Sequence, residues 1–237
     1  MKRLLGLLLL WASGCSGFER PTSEQLDLLV PHASPPTPVL ERLRIHMSLD
    51  SAWLAGEFDG VVVAMRGPEG PVVRAQLFGD LGPKMLDLLA RPERIVGFFP
   101  QASEGIDCAL PDEAGPHLLL FMGASLLERF SRWTPTRILG VREDPEGCWV
   151  KLRPAIRGTE VHVLADRSGR PRLRRIWWMY GLHWDEEWSG PDELRISAPK
   201  LSIRVRILER SSDATVKAGT LELTLPPDVR LAEGSRK

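Results

Sequence analysis

The sequence predicts a mainly β fold (α+β): about 10–12 short strands forming an antiparallel barrel or a strongly curved sheet, with a helical insertion around residues 117–130. Three observations predict it. From Val39 onward, short apolar segments alternate with polar residues at period two, as in Leu43, Ile45, Met47 and Leu49 against Arg44, His46 and Ser48. Breaker-rich turns separate these segments: Gly67-Pro68-Glu69-Gly70-Pro71, Asp144-Pro145-Glu146-Gly147 and Asp166-Arg167-Ser168-Gly169. Between His117 and Phe130 the spacing becomes helical, with Leu118, Phe121, Met122, Ser125, Leu126 and Phe130 on one side and Glu128 and Arg129 on the other.

The chain begins with Lys2 and Arg3, an apolar run from Leu4 to Trp11, then Ala12-Ser13-Gly14-Cys15. The run is far short of the ~20 residues that span a bilayer, so it reads as a secretory signal. The small-small-Cys ending resembles the lipobox of bacterial lipoproteins, with Ala12 where Leu is commonest. That resemblance implies cleavage after residue 14 and lipidation of Cys15, so that the mature chain is held at a membrane by an N-terminal lipid anchor. Ser16 in place of Asp implies the outer membrane, facing the periplasm. Residues 15–38 then read as anchor, short helix and tether. Thr22 or Ser23 caps a helix through Leu29, and Pro31 to Pro38 carries four prolines in eight positions.

The strands follow in order. Phe58 to Met65 and Val72 to Phe78 form a hairpin across the Gly67–Pro71 turn. Met85 to Leu89 is open between strand and helical turn. Arg94 to Phe99 is a strand, and Gln101 to Pro116 reads as a loop of acidic and small residues. After the helix come Ile138 to Arg142, Cys148 to Arg153, Thr159 to Ala165, Leu173 to Tyr180, His183 to Trp188, Leu194 to Ser197, Leu201 to Leu208 and Thr215 to Leu225. Residues 39–230 read as a single domain, and 231–237 as a frayed tail.

Two stretches bear a family resemblance. Residues 72–89, VVRAQLFGDLGPKMLDLL, with RIVGFFPQ at 94–101, are similar to the early strands of the LolA/LolB-like lipoprotein carriers. Leu194-Arg195-Ile196, Leu201 to Val205 and Gly219 to Leu225 before Pro226-Pro227-Asp228-Val229 are similar to that fold's last strands. The resemblance implies an unclosed β-barrel, a curved antiparallel sheet wrapped round a helical lid at residues 117–130, with an apolar cavity between them that receives acyl chains or lipidated proteins. The inward apolar set supplies the candidate wall residues Phe58, Val61, Val63, Val73, Leu77, Phe98, Ile138, Trp149, Trp177, Ile203 and Val205, with Leu118, Phe121 and Met122 from the helix, each read either as cavity wall or as plain core packing. The first hairpin's turn carries no large apolar side chain, a departure from known receptors of this type. Burial at ~0.8 kcal/mol per methylene binds a 16-carbon chain by on the order of 10 kcal/mol.

Other features point less far. Basic and acidic side chains balance at 31 each, which does not suit a nucleic-acid surface. Cys108 and Cys148 remain after lipidation, either paired in an oxidising periplasm or as two thiols. Trp177, Trp178, Tyr180, Trp184 and Trp188 read as a stacking platform, a headgroup belt or ordinary packing. Arg170, Arg172 and Arg174 share a strand face that meets anionic headgroups, a periplasmic protein partner or solvent. His183-Trp184-Asp185-Glu186-Glu187 matches no metal-site spacing. Gly123-Ala124-Ser125-Leu126-Leu127 lacks the second glycine of a hydrolase elbow. The expectation is a binding protein without catalysis or cofactor, with a structural or accessory envelope lipoprotein as the alternative.

Overall fold

The computed structural model describes residues 17–30, 39–51, 55–67, 70–79, 82–109, 118–131, 133–156, 158–177, 183–212 and 219–232, without the side chains of residues 39, 67, 118 and 121. The signal and Cys15, the proline segment 31–38, and Trp178 and Tyr180 lie outside them. Among the described residues no helix is long and apolar enough to cross a membrane.

Period-two patterning folds into one sheet of fourteen strands. The first six are β1 (Val39–Ser51), β2 (Ala55–Gly67), β3 (Gly70–Phe78), β4 (Lys84–Arg91), β5 (Arg94–Phe99) and β6 (Glu104–Ala109). After the helix come β7 (Ile138–Asp144), β8 (Gly147–Leu152), β9 (Glu160–Asp166), β10 (Pro171–Trp177), β11 (His183–Trp188), β12 (Glu193–Ala198), β13 (Leu201–Ser211) and β14 (Arg230–Leu231). Their order across the sheet is β14-β6-β5-β4-β3-β2-β1-β13-β12-β11-β10-β9-β8-β7. All neighbours pair antiparallel except β14, which lies parallel to β6. The sheet is curved and does not close.

The pleat sorts side chains onto two faces. On the inner face, Leu43, Ile45 and Met47 of β1 stand opposite Val62, Gly60 and Phe58 of β2. Val73, Ala75 and Leu77 of β3 stand opposite Ala90, Leu88 and Leu86 of β4. All of these apolar side chains are buried in one core.

Two helices complete the core. The first, α1 (Ser23–Leu29), starts at Thr22, whose Oγ1 accepts from the Gln25 N–H while the Gln25 side chain accepts from the Thr22 N–H. This capping box satisfies two of the N–H groups that a helix start leaves open. Its Leu29 joins the core. The second, α2 (Leu118–Phe130), crosses β3, β4 and β5 and buries Leu119, Leu120, Ala124, Leu127 and Phe130. Gly123 permits close approach: a Cβ there would stand 2.8 Å from Ile95 Cδ1. The helix is fastened at Glu128, which is 2% exposed. Its carboxylate accepts from Arg137 Nη2 at 2.9 Å and from the Ala155 backbone N–H. Arg137 in turn donates to the Arg153 carbonyl.

Three segments differ from the sequence expectation. Glu104 to Ala109, inside the expected loop, is strand β6. Residues 219–225, expected within the strand Thr215 to Leu225, make no ladder, and together with residues 226–229 they lie across the outer face of β3 to β6. Arg74 Nη1 donates to the carbonyls of Gly219, Thr220 and Glu222, and Arg91 Nη2 to that of Leu221. Val229 then sits against Gly105 and Phe98. Arg74 couples this strap to the sheet through Asp87, 1% exposed, which accepts from Arg74, Gln76 and Lys84 at 2.7–2.9 Å. Residues 17–20, expected as tether, are docked: Glu19 exchanges two 2.8 Å backbone hydrogen bonds with Val141 on β7. Of the two alternatives left open for Cys108 and Cys148, the bridge is not the one formed. The two residues lie on β6 and β8, the second strands from opposite ends of the sheet order.

Two predictions follow from these buried carboxylates. Asp87→Ala leaves Arg74 and Lys84 without their buried partner and should cost about 3–5 kcal/mol, read as a lower urea midpoint. Burial pushes the Asp87 pKa up, but Arg74, Lys84 and Gln76 outweigh it and hold the carboxyl below its usual value. Its contribution is therefore complete above the unfolded pKa of about 3.9 and is lost as pH falls through the lower native pKa. Below about pH 4 the wild type should lose more stability than Asp87→Ala does. Glu128→Gln should loosen α2 before the sheet, with amide exchange over 118–130 faster by roughly 100-fold and strands β1–β3 unchanged.

Candidate functional site

Between α2 and the inner face lies an apolar crevice of about 70 Å³. The sheet supplies Leu43, Ile45 and Met47 of β1, Val62 of β2, Ala75 and Leu77 of β3, Leu194 and Ile196 of β12, and Ile203, Val205 and Ile207 of β13. The helix supplies Met122, Leu126 and Phe130, with Ser125 and Arg129 as the two polar members. The volume admits a few waters but is far below the ~300–1,000 Å³ of drug-sized sites. Entry of a chain of many carbons therefore requires α2 to move away from the sheet.

Of the wall residues expected from sequence, Leu77, Met122, Ile203 and Val205 line this crevice. Phe58, Val73 and Ile138 belong to the same inner core but not to the crevice wall. Val61, Val63, Phe98, Trp149 and Trp177 are corrections: the pleat turns them to the outer face. Val61 and Val63 pair with Arg44 and Arg42. Phe98 pairs with Asp87. Trp149 pairs with Leu164 and donates through Nε1 to Asp144 at 3.2 Å. Trp177 packs edge-on against His162 at 4.6 Å. The side chains of Leu118 and Phe121 lie outside the described residues. Sequence reasoning missed the other twelve lining residues, among them Leu194, Ile196 and Ile207, although each of these three is the apolar member of an alternating strand.

Beneath the last turn of α2 the inner face becomes charged. Arg174 Nη1 donates to Glu186 at 3.1 Å, with both side chains almost fully buried. Trp184 Nε1 donates to the other Glu186 oxygen at 3.1 Å. The Arg174 guanidinium stands 5.1 Å from the centre of the Trp188 ring. Of the aromatic cluster, Trp184 is thus core and Trp177 an outer-face residue. The Arg170-Arg172-Arg174 run is likewise divided, because Arg174 is 3% exposed and ion-paired inside. Replacing a paired buried charge is costly only when its partner stays behind, so this pair constrains the local packing more than it stabilises.

The outer face carries two polar features. One is an open groove of about 530 Å³ lined by His46, Glu57, Glu187, Glu193, Arg195, Arg204 and Arg206. His46 there contacts Glu57 at 2.9 Å and Asp59 at 3.1 Å. The other is a stack in which Phe18 meets His162 at 4.8 Å, with Arg142 over Phe18 and Arg175 over Trp177. Burial lowers the His162 pKa against the raising effect of Glu160. Among the described residues no three metal-ligating side chains converge, so the acidic 183–187 segment assembles no such group there. Burial, then the Glu143 charge, pushes the Cys148 thiol pKa up, away from thiolate reactivity.

No family model matches the chain, and no curated protein matches it in sequence. Solved structures do match its fold. An outer membrane lipoprotein-sorting protein domain from Vibrio parahaemolyticus superposes with a TM-score of 0.52 at 10% identity, over 77% of this chain and 89% of that one. A DUF1329 family protein from Desulfovibrio piger gives 0.53 at 8% identity, over 78% and 90%. At such identities the likeness is one of fold alone: a curved, unclosed antiparallel sheet.

Proposed function

We propose that this chain is a lipid-anchored envelope protein that takes up an acyl chain, free or attached to a protein, between α2 and the inner face of its sheet. The observation that carries this reading is the crevice: fourteen of its sixteen lining residues are apolar, and one whole wall is a single helix. The sorting domain with the same fold supports an envelope setting. The action is gated burial. The helix lifts, methylenes exchange water for Leu, Ile, Val and Met side chains, and no covalent bond changes. At ~0.8 kcal/mol per methylene this burial must exceed the cost of lifting α2.

The lipobox reading gains a geometry from the docked N-terminus. Cys15 precedes Phe18 by three residues, a reach of roughly 11 Å at full extension. Anchored there, the β7 edge with Phe18 and Arg142 lies against the headgroups, and the proline segment 31–38 serves as an internal connection to β1. A second reading, an accessory envelope lipoprotein acting through protein contacts, is favoured by the small volume of the crevice.

One titration separates the two readings. The full chain carrying Cys15→Ser should bind palmitate saturably, measured by displacement of an apolar dye. Ala75→Leu, which fills the crevice wall, should weaken uptake at least tenfold while keeping a cooperative melt, since such overpacking costs about 1–3 kcal/mol. A wild-type crevice that takes up neither dye nor palmitate supports the accessory reading. Cys15→Ser should also move the protein from the membrane to the soluble fraction without changing its melting temperature. A variant that still needs detergent for extraction would refute lipidation at Cys15.

A further inference from the structure

The crevice has a polar end, and its charges do not balance. Arg129 stands in the last turn of α2 and lines the crevice among apolar side chains. Its Nη1 is buried and has no hydrogen-bond partner among the described residues. Three neighbouring arginines each have a carboxylate: Arg174 with Glu186 at 3.1 Å, Arg66 with Glu41 at 2.8 Å, and Arg210 with Asp192 at 2.9 Å. No such ion pair is formed by Arg129 among the described residues. Burial pushes its pKa down, with Glu186 and Glu41 opposing and Arg174 and Arg210 adding to the effect.

An uncompensated guanidinium held out of water is costly unless something anionic meets it. The carbonyls at the helix end offset only part of a full charge. Two further donors add to the excess, because Arg66 Nε and Arg174 Nε are also buried without an acceptor. Both belong to inner-face arginines, Arg66 with its guanidinium 5.5 Å from the centre of the Phe130 ring. Apolar walls with one unanswered cation match one ligand shape: a hydrocarbon tail ending in an oxyanion.

The geometry points to Arg129 as the headgroup clamp of this crevice, binding single-chain amphiphiles that end in a carboxylate or a phosphate. The inference rests on the acyl-chain reading above and adds head-group selectivity to it. A carboxylate or phosphate oxygen accepts from the guanidinium in a dry setting, where such charge-assisted bonds are strongest. A neutral head of the same length leaves the cation unanswered, so the site holds it less tightly than either anion.

The test uses the full chain carrying Cys15→Ser and three probes with 16-carbon chains: palmitate, 1-palmitoyl-lysophosphatidate and hexadecanol. Competition against an apolar dye should rank one or both anions at least tenfold tighter than hexadecanol. Palmitate ahead identifies a fatty carboxylate as the natural head, and lysophosphatidate ahead identifies a phospholipid one. Arg129→Gln should abolish the preference by weakening the anions at least tenfold, and a cooperative melt like that of the parent chain shows that the variant is folded. Arg129→Lys should restore part of it. Equal affinities for all three probes in the wild type, or a preference that survives Arg129→Gln, overturn the clamp and leave the acyl-chain reading standing. Binding of none of the three overturns both.

Discussion

The rest of the structure depends on the cover over the inner face of the sheet. Strands β1 to β5 and β9 to β13 turn a largely apolar surface inward, interrupted by the Arg174–Glu186 pair, and a single helix lies over the β3–β5 part of it. Five buried side chains seat that helix, and one buried carboxylate, Glu128, fastens its end to Arg137 and Ala155. Apolar contacts are non-directional and tolerate sliding, whereas the Glu128 pair has one geometry. A cover built this way is firmly seated at one place and slippery elsewhere. That construction suits the proposed gating, in which the wall parts and reseals without losing its register.

The sheet also has to manage an outer face and two edges. An unclosed sheet exposes ladder groups at both ends, a standing invitation to aggregation. Here Glu19 pairs with Val141 at the β7 end, and the two-residue β14 covers β6 at the other. The C-terminal strap shelters Phe98 on the outer face and is tied down by Arg74, whose guanidinium bridges Asp87 and three strap carbonyls. Both chain ends therefore act as structural cover.

How much of this was legible in the sequence varies with the physics of each feature. The strands were legible, because period two survives wherever one face is wet. The helix was legible, because its spacing changes at residue 118 and ends at Phe130. The inner wall was only half legible. Phe58 and Val61 are three residues apart on one strand, so the pleat cannot aim both inward, yet hydrophobicity alone suggests both. Phe98 misleads for another reason: it is buried, but beneath the strap. The strap itself imitates a strand, since Leu221, Leu223 and Leu225 alternate with exposed neighbours as one side of an extended chain settles on the sheet. Strand β6 was invisible because Glu104, Gly105 and Asp107 are poor strand formers and tertiary pairing overrides their preference. That Arg129 finds no carboxylate partner among the described residues is a property of three-dimensional neighbours and has no sequence signature.

The central claim is that the space between α2 and the sheet opens to an acyl chain. Methionine methyl groups report on it directly. Met47 and Met122 line the crevice from opposite walls, while Met65 is 38% exposed on the outer face. In a methyl-labelled sample of the full chain carrying Cys15→Ser, titration with palmitate should shift the Met47 and Met122 resonances together and saturably, leaving Met65 in place. Shifts confined to Met65, or none at all at saturating palmitate, would contradict the account.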